Sequence, residues 1–164
     1  MKELNQKLLY QVVESNRNII DEFRKVKILI TREDGVAVYS DAQMIKNDHS
    51  TGVLVTGLWS AANALSDVLD MEKDKNYISF GVSSQGIHLL PLNLSEKPYV
   101  FCVLYDDIVN PSKLKFKCRL LNLAIESNYS KKDCDIDKVD KGKRRTKALF
   151  KNITDEEIDN LFTL

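Results

Sequence analysis

The run YVFCVLY, residues 99–105, is the most continuously apolar stretch of the chain. A strand that is apolar on both faces is buried on both faces, so it belongs near the centre of a sheet with material packed on either side. Its neighbours must come from two other segments. In KVKILITREDGVAVYSD, residues 25–41, Val26, Ile28 and Ile30 alternate with Lys27, Leu29 and Thr31. Asp34-Gly35 then tolerates the positive φ of a hairpin turn, and Val36 and Val38 begin the return strand. In YISFGVSSQGIHLLPL, residues 77–92, Ile78, Phe80 and Val82 share a face, residues 83–86 turn the chain, and 87–92 bring it back. These segments predict a five-stranded, mainly antiparallel sheet whose apolar faces need helices over them.

Three helical patterns are available. Leu4, Leu8, Val12, Ile19, Ile20 and Phe23 predict a helix over 3–24, with an irregularity at Asn16 to Asn18. Asn110-Pro111 is an N-cap with proline in the first helical position; Leu114, Cys118, Leu121 and Ile125 then make one face of a closing helix. Between the hairpins, residues 42–52 read as a loop and GLWSAANALSDVLD, 57–70, as a helix. At about 100° per residue, Leu54, Leu58, Ala61, Leu65, Val68 and Leu69 fall on one stripe. That stripe predicts the core-facing side. Trp59 falls outside it, beside Asn63 and Ser66. The ring is covered either by the protein's own elements or by a partner, and tryptophan is enriched where binding energy concentrates. Gly57 and Ala61, small and one turn apart, would admit a second helix closely.

The element order is α-β-β-α-β-β-β-α, giving a domain over 1–127. From Asn128 the composition changes, and 128–152 read as a charged, flexible linker. Residues 153–164 form a short amphipathic segment. There Thr154 and Glu157 have capping-box spacing, and Ile158, Leu161 and Phe162 make an apolar stripe. So short a helix cannot stand alone in water, so it docks or frays. TDEEIDNLF also resembles acidic-aliphatic peptides of bacterial flagellar and chemotaxis switch proteins.

Chemistry is sparse. Acidic and basic side chains balance at 24 each, so no global field argues for nucleic acid or an anionic membrane. No apolar run is long enough to span a bilayer, no signal-peptide core follows Met1, and membrane insertion is not expected. The cysteines, Cys102, Cys118 and Cys134, are odd in number and widely spaced, which argues against a disulfide framework or a zinc site. Cys102 and Cys118 read as core thiols of a reducing, cytoplasmic compartment. His49 and His88 are the only histidines, and no nucleophile elbow, phosphate loop or dinucleotide fingerprint is present. Asp133, Asp135, Asp137 and Asp140 fail the calcium-loop rule, because Lys138 and Arg144 stand where glycine and glutamate are required. The basic run at 141–147 lacks the aromatics that stack bases. The sequence therefore predicts no cofactor, no metal and no catalytic residue.

One feature points to association. Tyr77, Ile78, Ser79, Phe80, Gly81 and Val82 contain no charge and no proline. As an edge strand they would be unprotected, which invites pairing with a second chain.

Together, ILITREDGVAVYSDA, GLWSAANALSDVL, ISFGVSSQGIHLLPL and YVFCVLYDDIVNPSKLKFKCRLL resemble the roadblock family of dynein light chains and bacterial gliding-motility regulators, over about residues 3–127. The resemblance implies an α+β fold with strand order 2-1-5-4-3, one helix on one face of the sheet and two on the other. It implies homodimers or paralogous heterodimers joined through the third strand, with the two second helices side by side. It further implies binding of a Ras-like small GTPase through that helix face, with no catalytic residue donated. Thr56, Trp59, Ser60, Asn63, Ser66 and Asp67 would then be the partner-binding positions. The expected function is a non-catalytic dimeric scaffold or regulator in signalling or motility. The alternative is a dimeric adaptor that recruits a motility or signalling complex through Ile158, Leu161 and Phe162, without a GTPase.

Overall fold

The computed structural model describes residues 4–41, 48–71, 77–82, 84–94, 97–107 and 110–150, excluding the side chains of 48–49 and 135–150. The elements are α1 (Gln6–Asn16), a 3-10 turn (Arg17–Ile19), β1 (Val26–Arg32), β2 (Ala37–Ser40), α2 (Asp48–Val68), β3 (Ile78–Val82), β4 (Gln85–Leu94), β5 (Lys97–Tyr105) and α3 (Pro111–Phe150). The sheet order is β2-β1-β5-β4-β3, and every pairing in it is antiparallel. The strand expected at the centre is there: β5 pairs with β1 from Val26↔Tyr105 to Arg32↔Tyr99, and with β4 from Gly86↔Tyr105 to Leu94↔Lys97.

The alternation of side chains sorts the core into two layers. Val26, Ile28 and Ile30 of β1, Leu90, Leu92 and Leu94 of β4, and Phe101 and Val103 of β5 are enclosed with α1 and α3. Leu29, Leu89, Val100 and Cys102 face the other way, onto α2. Two helices therefore cover one face and one covers the other, as the family resemblance implies.

Helices α1 and α3 begin where the sequence provides a cap. Asn5 Oδ1 accepts the Leu8 amide at 3.0 Å, and Asn110 Oδ1 accepts the Lys113 amide at 3.0 Å. Side-chain caps of this kind satisfy amides left open in a first turn. Helix α1 is shorter than the expected 3–24. It gives way at Asn16, whose Nδ2 donates back to the Val12 carbonyl at 2.7 Å, into the 3-10 turn anticipated as an irregularity. Arg17 there forks onto both oxygens of Asp41, at 2.6 and 3.0 Å. Asp41 also accepts the Ile28 amide at 2.7 Å, which ties the helix end to the β1–β2 hairpin.

Two further expectations need correction. Residues 48–52 are helical, not loop. Gly52 acts there as a close-approach position: an added Cβ would overlap the Gly35 carbonyl, and Gly35 itself holds φ +83° at the hairpin turn. The helix start and the hairpin tip can touch only because both are glycine. The linker expected from 128 is also helix, since α3 continues to Phe150. Tyr129 explains the first part. It is fully buried, its hydroxyl accepts the Asn5 amide at 3.0 Å, and neighbouring Asn128 donates to Asn16 at 3.0 Å. The chain forms two compact units, Met1–Ser130 and Lys131–Leu164. The expected segment 153–164, with Ile158, Leu161 and Phe162, lies outside the described residues.

Candidate interaction surface

Helix α2 packs over β1, β2 and β5, but with the face opposite to the one its hydropathy suggests. Gly52, Val55 and Thr56 are buried, and Trp59, Ala62, Asn63 and Ser66 are half-buried. Trp59 packs against the cluster of Leu29, Val55, Leu89, Val100 and Cys102. The apolar stripe points outward: Leu54 is 73% exposed and Val68 81%, with Leu58, Leu65 and Leu69 exposed between and beside them.

The inward face accepts polar residues because their hydroxyls are satisfied within the helix. Thr56 donates to the Gly52 carbonyl at 2.9 Å and lies 3.3 Å from the Thr31 hydroxyl. Ser66 donates to the Ala62 carbonyl at 2.9 Å. Such i−4 bonds satisfy the Thr56 and Ser66 hydroxyls. Once these are in place, the bulky aromatic supplies the apolar contact area against the sheet.

The positions expected to bind a partner are divided between the two faces of the helix. Thr56 is buried, and Trp59, Asn63 and Ser66 lie on the sheet-facing side; only Ser60 and Asp67 are exposed, on the flank of the stripe. The leucines that the sequence assigned to the core occupy the outer surface instead.

The sheet continues this surface. β3 is an edge strand. Ile78 pairs with Leu89 and Phe80 with Ile87, which places Ile78, Phe80 and Val82 on the α2 side of the sheet. Ile78 is half-buried, and Phe80 and Val82 are exposed. Of the expected edge, Tyr77 to Val82, residues Ile78–Val82 form the edge strand with no further strand paired to it among the described residues, and Phe80 and Val82 are exposed. The α2 stripe and the β3 end both present exposed apolar side chains on this side of the sheet.

Burial pushes the thiols of Cys102 and Cys118 up to about 12, so both stay protonated at neutral pH. His88 is fully buried on the opposite face, and neither ring nitrogen has a hydrogen-bond partner. Burial, and then Lys115 and Arg119, lower its pKa to about 4. Among the described residues, no three His, Cys, Asp or Glu side chains converge as metal ligands, and no helix is long and apolar enough to cross a membrane. The side chains of His49 and of the basic run at 141–147 are outside the described residues.

No protein-family model and no curated protein matches the sequence. Solved structures do match. The gliding protein MglB from Thermus thermophilus superposes with a TM-score of 0.60 at 13% identity, covering 80% of this chain and 95% of its own. Myxococcus xanthus MglB gives 0.59 at 13% identity over 80% of this chain and 94% of its own. An MglB described with a tetrameric arrangement gives the same figures. The chain has the roadblock-like α+β fold of these gliding-motility proteins.

Proposed function

We propose that the protein is a non-catalytic dimeric regulator or scaffold of a Ras-like small GTPase, acting in a motility or signalling assembly. The reading rests on one observation: α2 turns its leucine stripe away from its own core, continuous in facing with Phe80 and Val82. Exposed apolar side chains gathered on one side of a fold mark an interaction site. A second copy paired edge to edge along β3 would lay its α2 over Phe80 and Val82, and the two stripes would then form one platform. The structural likeness to MglB gliding proteins supports the motility setting.

Regulation would proceed by state selection. A platform that fits one nucleotide state of the GTPase better than the other shifts its switch population by that difference in affinity, with no residue donated to the chemistry. The test is capture from native lysate on the full chain, loaded with GDP or with a non-hydrolysable GTP analogue and read by mass spectrometry. A small GTPase retained in one nucleotide state, and lost with Leu58→Asp, is the expected result. Recovery of every small GTPase independent of nucleotide would overturn the state-selective mechanism.

A further inference from the structure

A second apolar stripe lies on the opposite side of the sheet, on α3. Leu114, Cys118, Leu121 and Ile125 bury the inner face of this helix. Phe116, Leu120 and Leu123 lie on its outer face, with Phe116 60% and Leu123 61% exposed. Their spacing of four and then three residues is that of a helix–helix seam, each knob one layer from the next. Neither α2 nor β3 reaches this face, so the proposed GTPase platform leaves it unused.

The charges along the seam are arranged unevenly. On one flank, Lys113 and Lys117 are both paired with Glu22 of the same molecule. On the other flank, Lys115 and Arg119 stand toward the N-terminal end and Glu126 toward the C-terminal end. Arg119 lies over the Tyr77 ring, 4.5 Å from its centroid. Glu126 holds the Asn93 amide at 2.7 Å through Oε1. A flank that is basic at one end and acidic at the other complements a copy of itself only when the copy runs in the opposite direction.

We propose that this outer face of α3 is a self-association site, where α3 of a second copy packs antiparallel about a two-fold axis beside Leu120. That register sets Phe116 of each copy against Leu123 of the other. It also brings Lys115 within a helical turn of Glu126 of the second copy, on both sides of the axis. A two-fold contact of this type is self-complementary and closes on itself. So few apolar side chains per copy fall short of the roughly 1,000 Å² that a stable isolated interface buries, so the contact is weak and depends on concentration. It does not depend on pairing through β3.

The experiment is sedimentation velocity of the full chain from micromolar to submillimolar concentration. The largest species should grow with concentration, and Leu120→Arg, which places two like charges at the axis, should halve its mass. The halving is expected whether the starting unit is a single copy or a β3-joined pair, so failure of the β3 reading does not mask it. Glu126→Lys should weaken the association, and the double variant Lys115→Glu/Glu126→Lys should restore it. Circular dichroism checks that each variant stays folded. A mass that does not change with concentration, or one that Leu120→Arg leaves intact, overturns the proposal, as does absence of charge-swap rescue.

Discussion

His88 shows how much one side chain can record about its surroundings. It sits opposite Ser79 on β3 and Val103 on β5, with the Tyr77 ring 5.6 Å away and with Lys115 and Arg119 contributing unfavourable charge from α3. Protonating it would bury a cation beside two others, which is why its pKa falls to about 4. Between about pH 6.5 and 4 the unfolded chain therefore binds the proton that the folded chain refuses, and stability rises with pH across that window. Acidification from about 6.5 toward 4 should cost at most about 3 kcal/mol through this group. His88→Leu should flatten that part of the profile, read as urea midpoints at several pH values. A variant profile that keeps the full slope would assign the effect to other groups. The burial of His88 was not legible in the sequence. Alternation put it opposite Ile87 and Leu89, but only α3 packed across the strand decided that this face is closed.

At the scale of elements, α2 is where local pattern and tertiary packing part. Hydropathy periodicity located a stripe on this helix correctly but could not show which way it faces. An apolar stripe has the same spacing whether it meets its own sheet or another molecule. The distinguishing signal was on the other face: Gly52, Thr56, Trp59, Asn63 and Ser66 recur at helical spacing, and two of the hydroxyls can bond within their own helix. Trp59→Ala should consequently cost about 2 kcal/mol of stability, less than a fully enclosed ring, because it removes contact with the Val55 and Leu89 cluster. Leu65→Asp, on the outer stripe, should change stability by no more than about 0.5 kcal/mol. Denaturant unfolding of the two variants side by side checks both. The reverse ranking would return Trp59 to the surface and the leucines to the core. For α3, length was the blind spot: the polar composition after Ser127 concealed Tyr129, a large aromatic fully enclosed by the first unit.

At the scale of the whole molecule, the exposed surface on the α2 side is an unfinished layer, in which one helix covers a five-stranded sheet and leaves its β3 end open. Phe80→Lys, which charges that edge, should lower the sedimenting mass of the full chain at micromolar concentration while leaving thermal unfolding cooperative. An unchanged mass would count against pairing along β3. The sequence by itself determined the alternation of the strands, the cap at Asn110, the turn at Gly35 and the central place of β5, because these depend on backbone geometry and on periodicities a few residues long. The tertiary structure alone decided which face of α2 is inside, how far α3 runs as helix, and which apolar side chains are left for another molecule. Those outcomes depend on contacts between distant segments, such as Gly35 with Gly52 and Asn5 with Tyr129, and a hydrophobic stripe carries no mark of what it will be buried against.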